Sequence, residues 1–165
     1  VMAEKAKEFC ALYNISLVSG EREPDNHIST EKQLREARLK FFWYHTTDQY
    51  LLRFPLITAH HVNDWVEGYL LNCFRGQPNR QPIPIRSTHL NMEILHPFLL
   101  TRKNDFQEYV DRNKLSRFVV SDETNVEEKG SRRNWIRNTI VPELERNEVR
   151  LVKFAKRRIR EEVPC

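Results

Sequence analysis

The feature that most constrains the fold of this sequence is a short apolar segment, Phe54–Ala59 (FPLITA), which lies between two segments of helical periodicity. Its β-leaning residues are typical of a strand buried in a parallel sheet. The pattern after it predicts a helix from about Asn63, a plausible N-cap, to Phe74, with Gly76 as its stop. Strands that alternate with helices predict an α/β fold with a parallel sheet, in which ligands bind at the carboxyl ends of the strands.

Periodicity and capping residues predict the remaining elements. A helix over residues 2–13 precedes a strand at Ile15–Val18, and Ser29 or Thr30 can cap the next helix, with the apolar stripe Leu34, Ala37, Phe41 and Tyr44. The later elements are a proline-rich loop at 77–85, a helix from its cap Thr101 to Val110, an extended piece at Phe118–Val120, and helices at Arg132–Ile140 and Pro142–Val163. The last helix presents the apolar stripe Leu144, Leu151, Ala155 and Ile159. The predicted organisation is an α/β part at 1–100 and a helical, basic part at 101–165 with a long terminal helix.

Composition excludes several classes of protein. The 165 residues are 39% hydrophobic and 10% aromatic, which is enough for a packed core and is not a disordered composition. Three widely spaced cysteines, Cys10, Cys73 and Cys165, suggest neither a disulfide framework nor a metal site. No apolar run is long enough to span a membrane and no signal peptide is recognisable, so we expect a cytoplasmic protein.

Positive charge is concentrated in the last third of the chain. The formal net charge is +4, and between Lys129 and Arg160 the basic residues face only Glu143, Glu145 and Glu148. A polyanion such as RNA would select such a segment, because each neutralised phosphate releases counterions. A solvated helix face explains the charge equally well, and both interpretations stay open at this point.

The segment Thr58–Gly76 carries residues suited to catalysis. His60 lies at the predicted end of a strand, and Asp64 and Glu67 are three apart near the start of the following helix, where they share a face. An imidazole with two carboxylates can position a cation or remove a proton from an amine nucleophile. A capped helix N-terminus with a satisfied histidine is the alternative.

The same segment resembles the signature T-A-H-H-x-D-D-x-x-E-T-x-L-x-x-L-x-R-G of tRNA(Ile)-lysidine synthetases, which are PP-loop ATP-pyrophosphatases. Asn63 stands where the signature has its first aspartate, and Gly68 stands where it has threonine. The matching residues are Thr58, Ala59, His60, His61, Asp64, Glu67, Arg75 and Gly76.

Further segments match this family in the right order, so that the resemblance covers about residues 2–144. Gln33–Phe42 is similar to A-R-x-x-R-Y-x-F-F through Arg35 and Arg38, and Leu95–Leu100 resembles R-P-L-L with His96 in place of arginine. Ser121–Asn125 is similar to D-x-S-N. The segment Arg132–Leu144 resembles R-N-x-I-R-x-x-x-x-P-x-L through Arg133, Asn134, Ile136, Arg137, Pro142 and Leu144.

The resemblance implies a Rossmann-like fold of the adenine nucleotide alpha hydrolase type, and an enzyme that uses ATP with Mg²⁺. Such enzymes adenylate carbon 2 of the wobble cytidine of a CAU-anticodon isoleucine tRNA, and the ε-amine of free L-lysine then displaces AMP. By carry-over, His60, Asp64 and Glu67 hold and deprotonate the lysine ammonium. The implied substrate-binding residues are Arg35, Arg38, His61, Asn125, Arg133, Asn134 and Arg137, for which ion pairing within the domain is the alternative.

One departure from the family is an absence. The S-G-G-x-D-S loop, whose backbone amides cradle the phosphates of ATP in the family, does not occur in this sequence, and no two of its four glycines are adjacent. We therefore expect a fragment, one half of a split enzyme whose loop comes from a separate chain, or a relative without ATP chemistry. A non-catalytic RNA-binding module and a related tRNA thiolase are the competing functions, although such thiolases generally use paired cysteines that are lacking here.

Overall fold

The computed structural model describes residues 2–20, 30–46, 54–120 and 132–162. Helices and three short strands make up the first part of the described chain, and helices alone make up its last part, as predicted for an α/β fold with a helical C-terminal part. The elements in chain order are α1 (Met2–Leu12), α2 (Glu31–His45), β1 (Leu56–Ile57), α3 (Val62–Phe74), β2 (Arg86–His89), β3 (Met92–Leu95), α4 (Lys103–Arg112), a 3₁₀ turn (Ser116–Phe118), α5 (Arg132–Trp135), a π-helical turn (Ile136–Ile140), α6 (Val141–Arg146) and α7 (Leu151–Arg160).

The three strands form one mixed sheet with the order β1-β3-β2, whereas the sequence predicted a parallel sheet. Strands β2 and β3 are joined by only two residues, Leu90 and Asn91, whose φ angles are 50° and 59°. Two consecutive positive φ values are the signature of a tight hairpin turn, which joins antiparallel strands. The hairpin therefore adds an antiparallel pair that the alternation of strands and helices did not predict.

The chain divides into two compact units that interleave along the sequence. The first contains residues 1–56, 87–94 and 117–120, and the second contains residues 57–86, 95–116 and 121–165. The sequence-based division at residue 100 therefore stays a prediction.

In the first unit, α2 is capped by Thr30, one of the two residues that the sequence offered as its cap. Thr30 Oγ1 accepts a hydrogen bond from the backbone N–H of Gln33, whose side chain accepts one from the N–H of Thr30. This reciprocal arrangement satisfies two amides that have no partner within the helix. The strand predicted at Ile15–Val18 is wrong, because these residues join no strand ladder in the part of the chain that the structure describes. High β-propensity forms a strand only where a partner strand is available.

The core of the second unit lies between α3 and α7. Helix α3 contributes Val62, Trp65 and Val66, and α7 contributes the predicted stripe Leu151, Ala155 and Ile159, all of them buried together with Leu99. Burying a large aliphatic side chain stabilises a fold by roughly 1.5–3 kcal/mol. This packing fixes the direction of α3, and with it the direction of the acidic residues in its first turns.

The predicted long terminal helix, Pro142–Val163, is wrong. Helix α6 ends at Arg146, Glu148 takes a φ of 59°, and the separate helix α7 has only ten residues. A left-handed residue cannot continue a right-handed helix, so the chain breaks there. The predicted helix Arg132–Ile140 is interrupted as well, because residues 136–140 form a π-helical turn in which Val141 donates its N–H to the carbonyl of Ile136.

Three smaller predictions in the second half of the chain are corrected by the structure. Helix α4 has Arg102 rather than Thr101 as its N-cap, and the backbone carbonyl of Thr101 accepts a hydrogen bond from Val62 N instead. The extended piece predicted from Phe118 begins inside the 3₁₀ turn Ser116–Phe118. No helix in the described ranges is long and apolar enough to cross a membrane.

Candidate active site at the start of helix α3

Helix α3 is capped by a histidine instead of the predicted Asn63. The N-cap is His61, and its backbone N–H donates a hydrogen bond to Asp64 Oδ2 at 3.0 Å. Its Nδ1 lies 3.3 Å from the N–H of Asp64 and 3.1 Å from Asp64 Oδ2. A ring nitrogen either donates or accepts, so the tautomer decides which of these two atoms His61 Nδ1 binds. Asp64 therefore stabilises the helix start and still presents its second oxygen, Oδ1.

Asn63 has a different partner from the one predicted. Its Oδ1 accepts a hydrogen bond from the backbone N–H of Lys103 at 3.0 Å, so it satisfies an amide in the first turn of α4. The side chain thus joins two helices through residues that lie 40 positions apart in the sequence. An aspartate, which the family signature has at this position, carries the same acceptor oxygen, so the contact does not require the amide.

Glu67 lies one turn further along α3, and its carboxylate is almost completely buried at 6% exposure. Arg137 binds it with two hydrogen bonds, Nε to Oε1 at 2.7 Å and Nη2 to Oε2 at 2.8 Å. Arg133 Nε lies 3.3 Å from the same Oε2. A planar guanidinium that donates two parallel bonds to one carboxylate is the strongest form of ion pair between side chains.

The π-helical turn carries Arg137 to this position. Arg133 precedes the turn on α5, and Pro142, which has no N–H to donate, follows the turn on α6. A widened turn relieves the clash that a proline ring makes with the carbonyl four residues before it. The hydrogen bonds to Glu67 raise the pKa of the Arg137 guanidinium, so it stays charged.

Asp64 and Glu67 line one cavity, which we call the α3 cavity and which has a volume of about 380 Å³. The predicted common face of the two acids is therefore present in the folded chain. Arg137 Nη2 lies 3.9 Å from Asp64 Oδ1, so one guanidinium faces both carboxylates. Other polar residues of the lining are His61, Asn63, Lys103 and Glu145.

The predicted catalytic residue His60 lies next to this cavity in sequence but is not among its lining residues in the described part of the chain. Its Nδ1 lies 2.8 Å from Thr58 Oγ1, and its ring centroid lies 5.2 Å from that of His96. His96, which stands where the family has arginine, is buried. The hydroxyl of Thr58 therefore fixes the position of one ring nitrogen of His60.

The remaining predicted residues are placed as follows. Arg35 and Arg38 lie exposed on α2 in the first unit, and Asn134 lies half-buried on α5 beside Arg133. Asn125 lies outside the described residues. The sequence analysis did not identify Lys103 and Glu145, which come from α4 and α6, because nothing in their local pattern indicates proximity to α3.

The described glycines do not fit the phosphates of ATP. A Cβ on Gly20 would lie 2.7 Å from the ring of Phe41, and a Cβ on Gly68 would lie 2.7 Å from Pro82 Cβ, so both are packed against side chains. Gly76 ends α3 with a φ of 71°. No group of three potential metal ligands occurs within the described residues. We therefore assign neither ATP nor Mg²⁺ to this part of the molecule.

The Gly68 contact explains the second departure from the signature. Pro82 belongs to the proline-rich loop, which lies directly against α3 at this point. A threonine on this helix position would have to displace the loop. The loop is also held by Asn72, whose side chain donates a hydrogen bond to the backbone carbonyl of Arg80.

Comparisons with known proteins show what this chain is similar to. The chain is 30% identical over 144 residues to a tRNA(Ile)-lysidine synthase of Haemophilus influenzae (strain PittGG), a match that covers 86% of this chain and 32% of that protein. It is 32% identical over 142 residues to that of Haemophilus ducreyi, covering 85% and 32% of the two chains. It is 33% identical over 129 residues to that of Lactobacillus gasseri, covering 77% and 29%.

The chain spans about a third of the length of the curated relatives that it matches. A family model described as a PP-loop domain matches residues 2–144, which include β1, α3 and both arginines that bind Glu67. The chain therefore belongs to the PP-loop domain family.

Proposed function

We propose that this chain is part of a tRNA-modifying ligase that attaches lysine to carbon 2 of the wobble cytidine of a CAU-anticodon isoleucine tRNA. The relatives carry the name of that activity, and the α3 cavity supplies the acidic surface that an amine substrate requires. ATP binding in this proposal belongs to another part of the same polypeptide or to a separate chain.

The observation that carries the proposal is the unequal state of the two acids in the α3 cavity. Both oxygens of Glu67 are bound by arginines, whereas among the described residues Asp64 Oδ1 has only a guanidinium nitrogen of Arg137, at 3.9 Å. An incoming ammonium therefore meets Asp64 first. Glu67 contributes by holding Arg137 in place. It contacts the ammonium directly only when Arg133, the more distant and more exposed of its two arginine partners, moves away.

Lysine must lose a proton before its ε-amine can attack carbon 2. Asp64 is the group in the α3 cavity proposed to hold the ammonium and accept that proton, and His61 orients Asp64 through the cap of α3. His60, which is not among the lining residues of the cavity, stays a proposed catalytic residue on the family resemblance alone. The C–N bond then forms between the deprotonated amine and carbon 2 of the adenylated cytidine, while the bond from carbon 2 to the oxygen of AMP breaks and AMP leaves. The remaining proposed contacts to the RNA are Arg133, which also binds Glu67, its chain neighbour Asn134, and Arg35, Arg38 and Asn125.

The test is transfer of radiolabelled lysine to a CAU-anticodon isoleucine tRNA transcript by the full gene product that contains this chain, in the presence of ATP and Mg²⁺. We expect label in the RNA that depends on ATP, and no label in a transcript whose wobble cytidine is replaced by uridine. If the protein binds both ATP and RNA but transfers no label to the transcript that has the wobble cytidine, the proposal is contradicted.

A non-catalytic RNA-binding module is the second candidate. The ion pair of Glu67 with Arg137 favours it, because such a pair can serve the fold alone. RNA binding without any lysine transfer by the full gene product would support this candidate over the ligase.

A further inference from the structure

A strongly basic concavity lies along α7, on the side of the helix opposite its buried stripe. We call it the basic groove; its volume is about 820 Å³, and Glu161 is its single acidic lining residue among the residues described. Its cationic lining residues are Arg102, Arg150, Lys153, Lys156, Arg157 and Arg160. Residues 153, 156, 157 and 160 recur at helical spacing, so their side chains lie on one face of α7.

Most of these cations are unpaired. Arg157 lies 3.6 Å from Glu161, but the other five have no ion-pair partner within the described residues. Arg150 and Lys153 also lie at the N-terminal end of α7, whose first turn contains no acidic residue. Cations at a helix N-terminus oppose the helix dipole and destabilise the helix. The fold thus gains nothing from this charge, and a bound polyanion would offset its cost.

The basic groove and the α3 cavity have a common neighbour on the protein surface. A third concavity of about 480 Å³ lies between them and shares lining residues with each. It shares Asn63, Glu145, Leu151 and Val152 with the α3 cavity, and Arg102, Arg150, Val152 and Lys153 with the basic groove. A chain molecule bound along α7 could therefore extend to Asp64 without leaving the protein surface.

We propose that the basic groove binds the phosphodiester backbone of the RNA substrate and guides one nucleotide toward the α3 cavity. The choice of RNA rests on the proposed function, whereas the polyanionic character of the ligand rests on the groove itself. Lys153 to Arg160 span about 10 Å along the helix axis. This length matches a short run of phosphates and is too short to account for the binding of a whole tRNA.

The expected contribution of each cation follows from counterion release. Each phosphate neutralised on RNA contributes a slope of about 0.7–0.9 to the dependence of log affinity on log salt, or about sixfold in affinity at roughly 0.1 M salt. The double variant Lys153→Glu/Lys156→Glu should therefore raise the Kd for the tRNA transcript by about 40-fold or more and flatten the salt slope by about 1.5.

The matched control is the double variant Arg146→Glu/Arg158→Glu, which makes the same change in charge within the same unit. Both arginines are exposed, both pair with nearby glutamates, and neither lines the basic groove. The experiment is fluorescence anisotropy of a labelled CAU-anticodon tRNA transcript titrated with each variant over a range of salt concentrations. Thermal unfolding of every variant verifies that the fold is retained.

We expect the groove variant to bind the transcript more weakly and with a smaller dependence on salt concentration. The Kd of the control should lie within a few-fold of that of the unmodified chain. Equal effects of the two variants on RNA binding would overturn the proposal that the groove binds RNA. Binding of anionic lipid vesicles without binding of RNA would overturn it as well. Lysine transfer separates this inference from the proposed function. If the groove variant fails to bind RNA and the unmodified protein transfers no lysine, the role of the groove is supported and the ligase is rejected. If the groove variant binds RNA normally and the unmodified protein transfers lysine, only the role of the groove is rejected.

Discussion

The ion pair between Glu67 and Arg137 leads to a quantitative prediction about stability. In Glu67→Gln the amide oxygen can accept one of the two hydrogen bonds, but the amide NH₂ then faces a guanidinium N–H, so one charge-assisted bond and the negative charge are lost. A hydrogen bond to a charged group contributes about 1.5–3 kcal/mol, and breaking a buried pair costs about 3–5 kcal/mol. Arg137 is 29% exposed and regains some hydration, so we expect a loss of about 2–3 kcal/mol.

Urea unfolding followed by tryptophan fluorescence measures this loss, because Trp65 lies in the same core as α3. With a urea m-value of about 1–3 kcal/mol/M, the midpoint should fall by about 1 M or more. The control is Glu143→Gln, which removes the same charge from an exposed pair with Arg146 and should cost about 0–1 kcal/mol. Equal midpoints for the two variants would refute the assignment of Glu67 as a buried anchor.

A double variant tests the cause of the loss. Glu67→Leu/Arg137→Met removes both charges and leaves side chains of similar volume, and such replacements of buried pairs are often neutral or stabilising. We expect it to be more stable than Glu67→Gln. A double variant that is less stable than Glu67→Gln would show that packing, rather than the unpaired charge, is responsible.

Three further predictions concern other parts of the chain. This chain alone should bind ATP and Mg²⁺ too weakly for saturation in calorimetric titration, because its described glycines cradle no phosphate; micromolar affinity would contradict this. Gly68→Thr should destabilise the chain by about 1–3 kcal/mol through overpacking against Pro82, and Pro82→Gly in the same protein should recover part of the loss in thermal unfolding. Asn63→Ala should lower the free energy of unfolding by about 1 kcal/mol and speed amide exchange at Lys103, whereas Asn63→Asp keeps the acceptor oxygen and should change neither. Equal amide exchange at Lys103 in the two variants would show that Asn63 does not cap α4.

The parts of the fold that sequence predicted are those set by contacts between near neighbours. Thr30 and Gln33 are three residues apart, and the stripe Leu151, Ala155 and Ile159 recurs every four residues, so the sequence alone indicates both. Gly76 ends α3 because it takes the left-handed conformation that glycine tolerates. The common face of Asp64 and Glu67 was predictable for the same local reason.

The features that the sequence did not predict depend on partners far away in the sequence, or on changes of backbone conformation at residues whose type does not indicate them. Glu67 and Arg137 are 70 residues apart, so their pairing could be named only as an alternative. The break before α7 occurs at Glu148, and a glutamate with positive φ gives no warning in the sequence. The cap of α3 was misassigned because Asn63, a good capping residue, is used by α4 instead.

The lysine requirement of Asp64→Asn in the full gene product tests the central claim most directly. Its control is Asp105→Asn, because Asp105 also accepts the N-cap amide of its helix but does not line the α3 cavity. Loss of a charge-assisted contact to the ammonium is worth about 1.5–3 kcal/mol, so the KM for lysine should rise about ten- to a hundredfold while the KM for tRNA stays unchanged. An Asp64→Asn enzyme whose lysine KM equals that of Asp105→Asn would show that Asp64 serves only as a helix cap, and that lysine binds elsewhere.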